Sequence, residues 1–274
     1  MKKSFVILIV IGLASIALLN FLPKSNVGEN NLVGGANRDM AEIAKSEDEN
    51  LSHSPQLDEK QLKELTILKN GLIEAGKDNL PALEKLVNFF QRNTQLDSAA
   101  IYFEEYVKLN PNPDNWLKVA QLYFEAQTYA LRPGSGVQLG EKAREYYQKV
   151  LDLNPNNLMV KTNLAMTYME SSNPMQGISM LREVIDQEPD YIPALFNLGI
   201  LSIRSNQFGR GKERFEQILE IDPNNHKAAL NLGYCLAELN EKEEALTILE
   251  KVIKLSKDSQ EIEAAKNLIE EIKK

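Results

Sequence analysis

The sequence predicts an all-α fold: a superhelical solenoid of about five helix-turn-helix repeats with capping helices, preceded by an N-terminal transmembrane helix and a disordered tether. Three observations predict it. Small and bulky residues recur at a fixed step of 34, prolines close successive steps, and an uncharged run of 18 residues opens the chain. A constant step of this size marks one supersecondary unit copied along the chain, each copy burying its apolar face against the next.

Residues 1–23 read as a signal anchor. Lys2 and Lys3 precede an uncharged run from Phe5 to Leu22, 18 residues. As a helix they reach about 27 Å, close to the roughly 30 Å hydrocarbon core of a bilayer. A cleavable leader has a shorter apolar stretch followed by a small-x-small site. Pro23, Lys24, Ser25, Asn26 and Val27 offer none, and Ser15-Ile16-Ala17 lies inside the run. The paired lysines stay cytoplasmic by the positive-inside rule. The expectation is a bacterial inner-membrane protein, single-pass, its bulk facing the periplasm. The alternative is a secreted or periplasmic chain after signal cleavage.

Residues 24–56 are rich in Asn, Gly, Ser and Glu and hold no aromatic residue, a composition that cannot offset chain entropy by burial, so they read as a flexible linker. Residues 57–78 form a capping helix ending near Gly76, with Leu62, Leu65, Leu68, Leu72 and Ile73 on the face toward the domain behind it. The spacing favours a cap over a dimer-forming helix.

The repeats occupy residues 79–258. Stepping by 34 aligns Asn163, Asn197 and Asn231, then Leu164, Leu198 and Leu232, then Ala165, Gly199 and Gly233. A second small column holds Gly177, Gly211 and Ala245, a bulky one Leu181, Phe215 and Leu249, and a β-branched one Val184, Ile218 and Val252. Pro155, Pro189 and Pro223 close successive units, with an Asn or Asp just beyond that can cap the next helix. Two looser copies precede them: one with Val87, Ala99, Phe103, Val107 and Pro111, one with Trp116, Ala120, Tyr123, Ala143, Tyr147, Val150 and Pro155. The second carries about 11 extra residues near 128–140, including a Gly/Pro-rich stretch, read as a loop or an extended helix-turn. The small residues let the two helices of a unit approach closely while Leu and aromatic residues fill the space around them. Residues 259–274 read as a last capping helix with Ile262, Ala265, Leu268 and Ile272 buried.

These residues resemble the tetratricopeptide repeat (TPR) family. The family pattern is matched by Trp116, Tyr123, Ala143, Tyr147 and Pro155 in one unit and by Leu198, Gly199, Phe215 and Pro223 in another, over about two-thirds of the chain. The resemblance implies a superhelix whose first helices line a concave groove for peptides or partner proteins. At those positions stand Thr162, Met166 and Met169, then Phe196, Ile200 and Ile203, then Leu230 and Tyr234, with Asn163, Asn197 and Asn231 between them. An asparagine amide both donates and accepts, so such a ladder can pair with a peptide backbone whatever its side chains. Lys85 and Lys118 sit in corresponding places of the earlier units and can grip an acidic ligand end. The later units place Phe196, Ile200, Leu230 and Tyr234 where chaperone-tail binders of the family hold charge, which argues against that ligand.

Composition removes other classes. A net charge of -8 and a pI near 5.1 disfavour nucleic acid. His53, His226 and the single Cys235 cannot make a zinc site or an intramolecular disulfide. Cys235 reads as a small core residue and His226 as decoration of a turn. The pairs Glu104-Glu105 and Glu243-Glu244 read as solvated helix surface, and "RPGSGVQLG" lacks the strand and Lys-Ser/Thr of a phosphate loop. The chain is therefore expected to be no enzyme, with no cofactor, no metal and no small-molecule substrate. The expected function is a membrane-tethered scaffold or adaptor for peptides or partner proteins outside the cytoplasm. The alternative is a structural accessory subunit of a membrane enzyme complex, in cytochrome maturation or cell-envelope assembly.

Overall fold

A computed structural model describes residues 57–130 and 135–274. The expected anchor and the expected linker lie outside them. Among the described residues no helix is long and apolar enough to cross a membrane.

The described residues form twelve helices and no strand. They are α1 (Glu59–Ala75), α2 (Leu80–Arg92), α3 (Leu96–Leu109), α4 (Pro113–Thr128), α5 (Ser135–Leu153), α6 (Leu158–Thr167), α7 (Pro174–Gln187), α8 (Ile192–Arg204), α9 (Phe208–Ile221), α10 (His226–Glu238), α11 (Lys242–Leu255) and α12 (Ser259–Lys273). They divide into two compact units, one ending at Pro155 and the other beginning at Asn156.

The helix boundaries follow the punctuation in the sequence. Prolines 111, 155, 189 and 223 each stand two residues past the end of α3, α5, α7 and α9. There the missing N–H cannot break a helical ladder. Asparagines then start the next helix: Asn112 accepts from the Asn115 N–H at 2.9 Å, Asn157 from Val160 at 3.1 Å and Asn225 from Ala228 at 3.1 Å. Each such cap stabilises by about 1 kcal/mol. The extra residues of the second repeat lengthen its helices, α4 to 16 residues and α5 to 19.

In the N-terminal unit α1 packs on α2, α2 on α3, α3 on α4 and α4 on α5. Its core is aromatic: Phe90 stacks on Tyr102 with ring centres 5.3 Å apart and meets Phe89 edge-on at 5.5 Å. In the C-terminal unit three hairpins, α6/α7, α8/α9 and α10/α11, are followed by α12. The predicted columns are all buried there: Leu181, Phe215 and Leu249, then Val184, Ile218 and Val252, with Gly177, Gly211 and Ala245 at the crossings. Gly199 is required by its neighbour, since a Cβ there would stand 2.6 Å from the Phe215 ring.

Turns inside three hairpins use a left-handed residue: Thr94 (φ 56°), Asn206 (φ 56°) and Asn240 (φ 64°). Asn tolerates this region, whereas a β-branched residue is strained in it. Thr94→Asn is therefore expected to raise the stability of the N-terminal unit by about 0.5–1 kcal/mol. Urea denaturation reads the effect as a higher midpoint at unchanged slope.

Two sequence expectations are corrected by the packing. Leu62 and Ile73 face away from the domain, while Leu65 and Leu72 carry the α1 contact. Glu104 is not surface: it is 7% exposed and accepts hydrogen bonds from Tyr123 Oη (2.7 Å), Tyr146 Oη (3.0 Å) and Lys142 Nζ (2.8 Å).

Candidate peptide-binding face

Within the C-terminal unit the first helices of consecutive hairpins touch one another: α6 meets α8, α8 meets α10, and α10 meets α12. The second helices α7, α9 and α11 pack less closely on one another than the first helices do. Hairpins that stand closer along one edge than along the other curve toward the closer edge. The inner side of this unit is therefore built by α6, α8 and α10.

Asn163, Asn197 and Asn231 occupy one phase of these three helices, and all are half-buried. The Asn163 and Asn197 amides make no hydrogen bond among the described residues. The Asn231 amide donates to the Lys227 carbonyl one turn earlier at 2.8 Å. Around them Met166, Phe196, Leu230 and Tyr234 are half-buried, each with one side on the core. Phe196 meets Phe215 edge-on at 5.7 Å, and Tyr234 meets Phe208 edge-on at 6.0 Å, so both rings are held in place. Burial, and then the nearby charge of Glu238, pushes the Tyr234 hydroxyl up to about 12, keeping it a neutral donor at any physiological pH.

Other expected lining residues are not on this face. Ile200 is 5% exposed and Ile203 lies with it in the core cluster; Thr162 is buried too. Adjacent first helices pack closely enough to cover them. Lys85 and Lys118 are exposed, but they belong to the N-terminal unit, on α2 and α4, so neither unit holds both the lysines and the asparagines. Lys118 Nζ stands 4.6 Å over the Phe103 ring of α3. A contact of this kind contributes about 0.5–1 kcal/mol when exposed, and it gives the side chain a structural role.

One column was missed. Glu170, Arg204 and Glu238 are also spaced by 34 residues, giving alternating charge seven residues, about two turns, beyond the asparagines. Burial raises the Glu170 carboxyl, and the Arg204 charge pulls it back. The signal was legible as a constant step, hidden by the change of sign from one copy to the next. Cys235, expected as a small core residue, is fully buried. Desolvation pushes its thiol up to about 12, which leaves it a protonated, inert group. The face thus offers amides, fixed aromatic edges and a thioether, and chemically it can hold an extended chain.

Family descriptions of the tetratricopeptide repeat match residues 202–269 and 141–157. A solved tetratricopeptide repeat protein from Parabacteroides merdae is 16% identical, the match covering 85% of this chain and 85% of that one, with a TM-score of 0.55. The type IV pilus biogenesis factor PilW is 12% identical over 81% of this chain and 94% of its own, with a TM-score of 0.51. MamA from Desulfovibrio magneticus is 19% identical over 67% of this chain and 99% of its own, at a TM-score of 0.47. No curated protein sequence matches the chain significantly.

Proposed function

We propose, from the premise that this chain belongs to the tetratricopeptide repeat family, that it is a non-enzymatic scaffold holding an extended peptide segment of a partner protein against α6, α8 and α10. The observation that carries this reading is the pair of amides at Asn163 and Asn197, at one phase of adjoining helices, half-buried and without a bond to the chain. A half-buried amide with no partner in the chain is left to solvent, and a peptide backbone can replace that water with donor and acceptor together. Met166, Phe196, Leu230 and Tyr234 supply apolar contacts that suit varied side chains.

The same reading ties the scaffold to a membrane through the uncharged run from Phe5 to Leu22, with Lys2 and Lys3 on the cytoplasmic side and the repeats outside it. Retention of the run is read from the mass of the mature chain in isolated membranes; a mass lacking the first 17 or more residues overturns the anchor.

For the binding face, the full chain is screened against displayed random peptides and the best binder is measured by calorimetry. Replacing Asn163, Asn197 and Asn231 together by Ala is expected to weaken it on the order of a hundredfold, at about 1 kcal/mol for each lost pair. Unchanged affinity in a triple variant with unchanged melting overturns the reading.

A further inference from the structure

The charged column at Glu170, Arg204 and Glu238 belongs to the same face as the asparagines. In α8 and α10 the step of seven from Asn197 and Asn231 returns to the same line of the helix, and Arg204 and Glu238 are the last residues of those helices. Glu170 stands in the turn three residues past the end of α6. All three are exposed, whereas Thr162, Leu198 and Cys235, on the flanking lines, are buried.

Local structure does not account for the signs in this column. A helix C-terminus carries partial negative charge, which favours Arg204 and opposes both glutamates. Among the described residues no salt bridge includes any of the three. The Arg204 charge is felt at Glu170 across the contact of α6 with α8, but the two form no ion pair. The face therefore presents acid, base and acid in that order, each open to a charge from outside the chain.

The spacing selects the conformation of what lies across it. Helices packed side by side stand about 8–10 Å apart, so the charges follow one another at about that step. A polyproline II segment has three residues per turn and rises about 3.1 Å per residue, so every third side chain returns to one side after about 9 Å. In a β-strand, residues three apart point to opposite sides. Polyproline II also leaves its backbone groups without internal bonds, open to the Asn163 and Asn197 amides, and it docks against aromatic surfaces such as Phe196 and Tyr234 offer.

We infer that the segment held on this face is a polyproline II stretch carrying a cation, an anion and a cation at steps of three residues, paired with Glu170, Arg204 and Glu238 in turn. This deepens the peptide-binding reading and rests on it. The charge order is the same from either end, so charge alone leaves the direction of the segment open.

The test measures three labelled peptides of one composition on the full chain in mild detergent, by fluorescence anisotropy. The first, Pro-Lys-Pro-Ala-Glu-Pro-Ala-Lys-Pro, has the inferred order and step. The second, Pro-Lys-Pro-Ala-Lys-Pro-Ala-Glu-Pro, changes the order alone, and the third, Pro-Pro-Lys-Ala-Glu-Ala-Lys-Pro-Pro, changes the step. The first is expected to bind at least about tenfold more tightly than either, by a margin that narrows with added salt. Arg204→Glu joined with Glu170→Lys makes the column base, acid, acid; joined with Glu238→Lys it makes it acid, acid, base. One of these two double variants is expected to prefer the second peptide, and which one gives the direction of the segment. Their exposed positions keep the fold, checked by unchanged melting. Equal affinity for the first and second peptides, or for the first and third, overturns the proposal, as does a preference that neither double variant reverses. Equal binding of all three that is lost on replacing Asn163, Asn197 and Asn231 by Ala leaves the peptide-binding reading standing and overturns only the charge pattern. Binding of none of the three, when a peptide selected from a random library does bind, has the same meaning. Failure of every peptide overturns both.

Discussion

Glu104→Ala is expected to cost the N-terminal unit about 2–4 kcal/mol, chiefly for two buried tyrosine hydroxyls left without their acceptor. The carboxylate joins three helices. It sits on α3, accepts from Tyr123 of α4, and accepts from Lys142 and Tyr146 of α5. Tyr123 and Tyr146 are buried and stacked, ring centres 6.5 Å apart, so without Glu104 their hydroxyls are stranded in apolar surroundings. Glu104→Gln keeps one acceptor and is expected to cost roughly 1–2 kcal/mol. Hydrogen exchange on the full chain places the loss in residues 96–153 and leaves α8 to α11 protected.

The same residue gives a pH dependence. Burial pushes the Glu104 carboxyl up, but hydrogen bonds from Lys142 and Tyr123 and the charges of Lys142 and Lys108 outweigh it, and the net value is lowered from 4.5. A depressed folded value means the folded state holds its proton less tightly than the unfolded chain does. The contribution is therefore fully present above about pH 4.5 and is lost as pH falls through the lowered value. Glu104→Gln is expected to flatten this part of the acid-stability curve of α3–α5.

Phe215→Ala is expected to cost the C-terminal unit about 3–5 kcal/mol. The ring is 0% exposed, meets Phe196 edge-on, and fills the space opposite Gly199. Gly199→Ala alone is expected to cost about 1–3 kcal/mol, because its Cβ would press on Phe215 Cζ and Cε1 at 2.6 and 2.9 Å. With the ring removed the methyl group has room. The double variant is therefore expected to lose clearly less than the sum of the two, a coupling measured from urea midpoints of all four chains. Additive costs would mean that the ring and the glycine are not a matched pair.

Most of the helical architecture was legible from the sequence because its cause is periodic. Gly177, Gly211 and Ala245 repeat where helices cross, and the prolines repeat where helices end, so the step of 34 carries both contacts and boundaries. What the sequence hid are choices made by neighbours. Leu62, Leu65, Leu68, Leu72 and Ile73 share one broad side of α1, and only the position of α2 selects Leu65 and Leu72 for burial. Ile200 has groove-like spacing, yet the adjoining first helices cover it. Glu104 looks like one more surface Glu beside Glu105, since its partners stand 19, 38 and 42 residues further on. Of the binding face, the asparagine column was legible. Its separation from Lys85 and Lys118 was not, because the division of the chain after Pro155 leaves no mark in the repeat phase.

The packing of α6 to α12 is almost entirely between helices adjacent, or next but one, in the chain. A topology so local folds quickly, since few long loops must close before contacts reward them. On a ribosome each hairpin finds the surface it needs on the one just made, and only the newest greasy edge waits uncovered. That wait ends when α12 packs on α10 and α11.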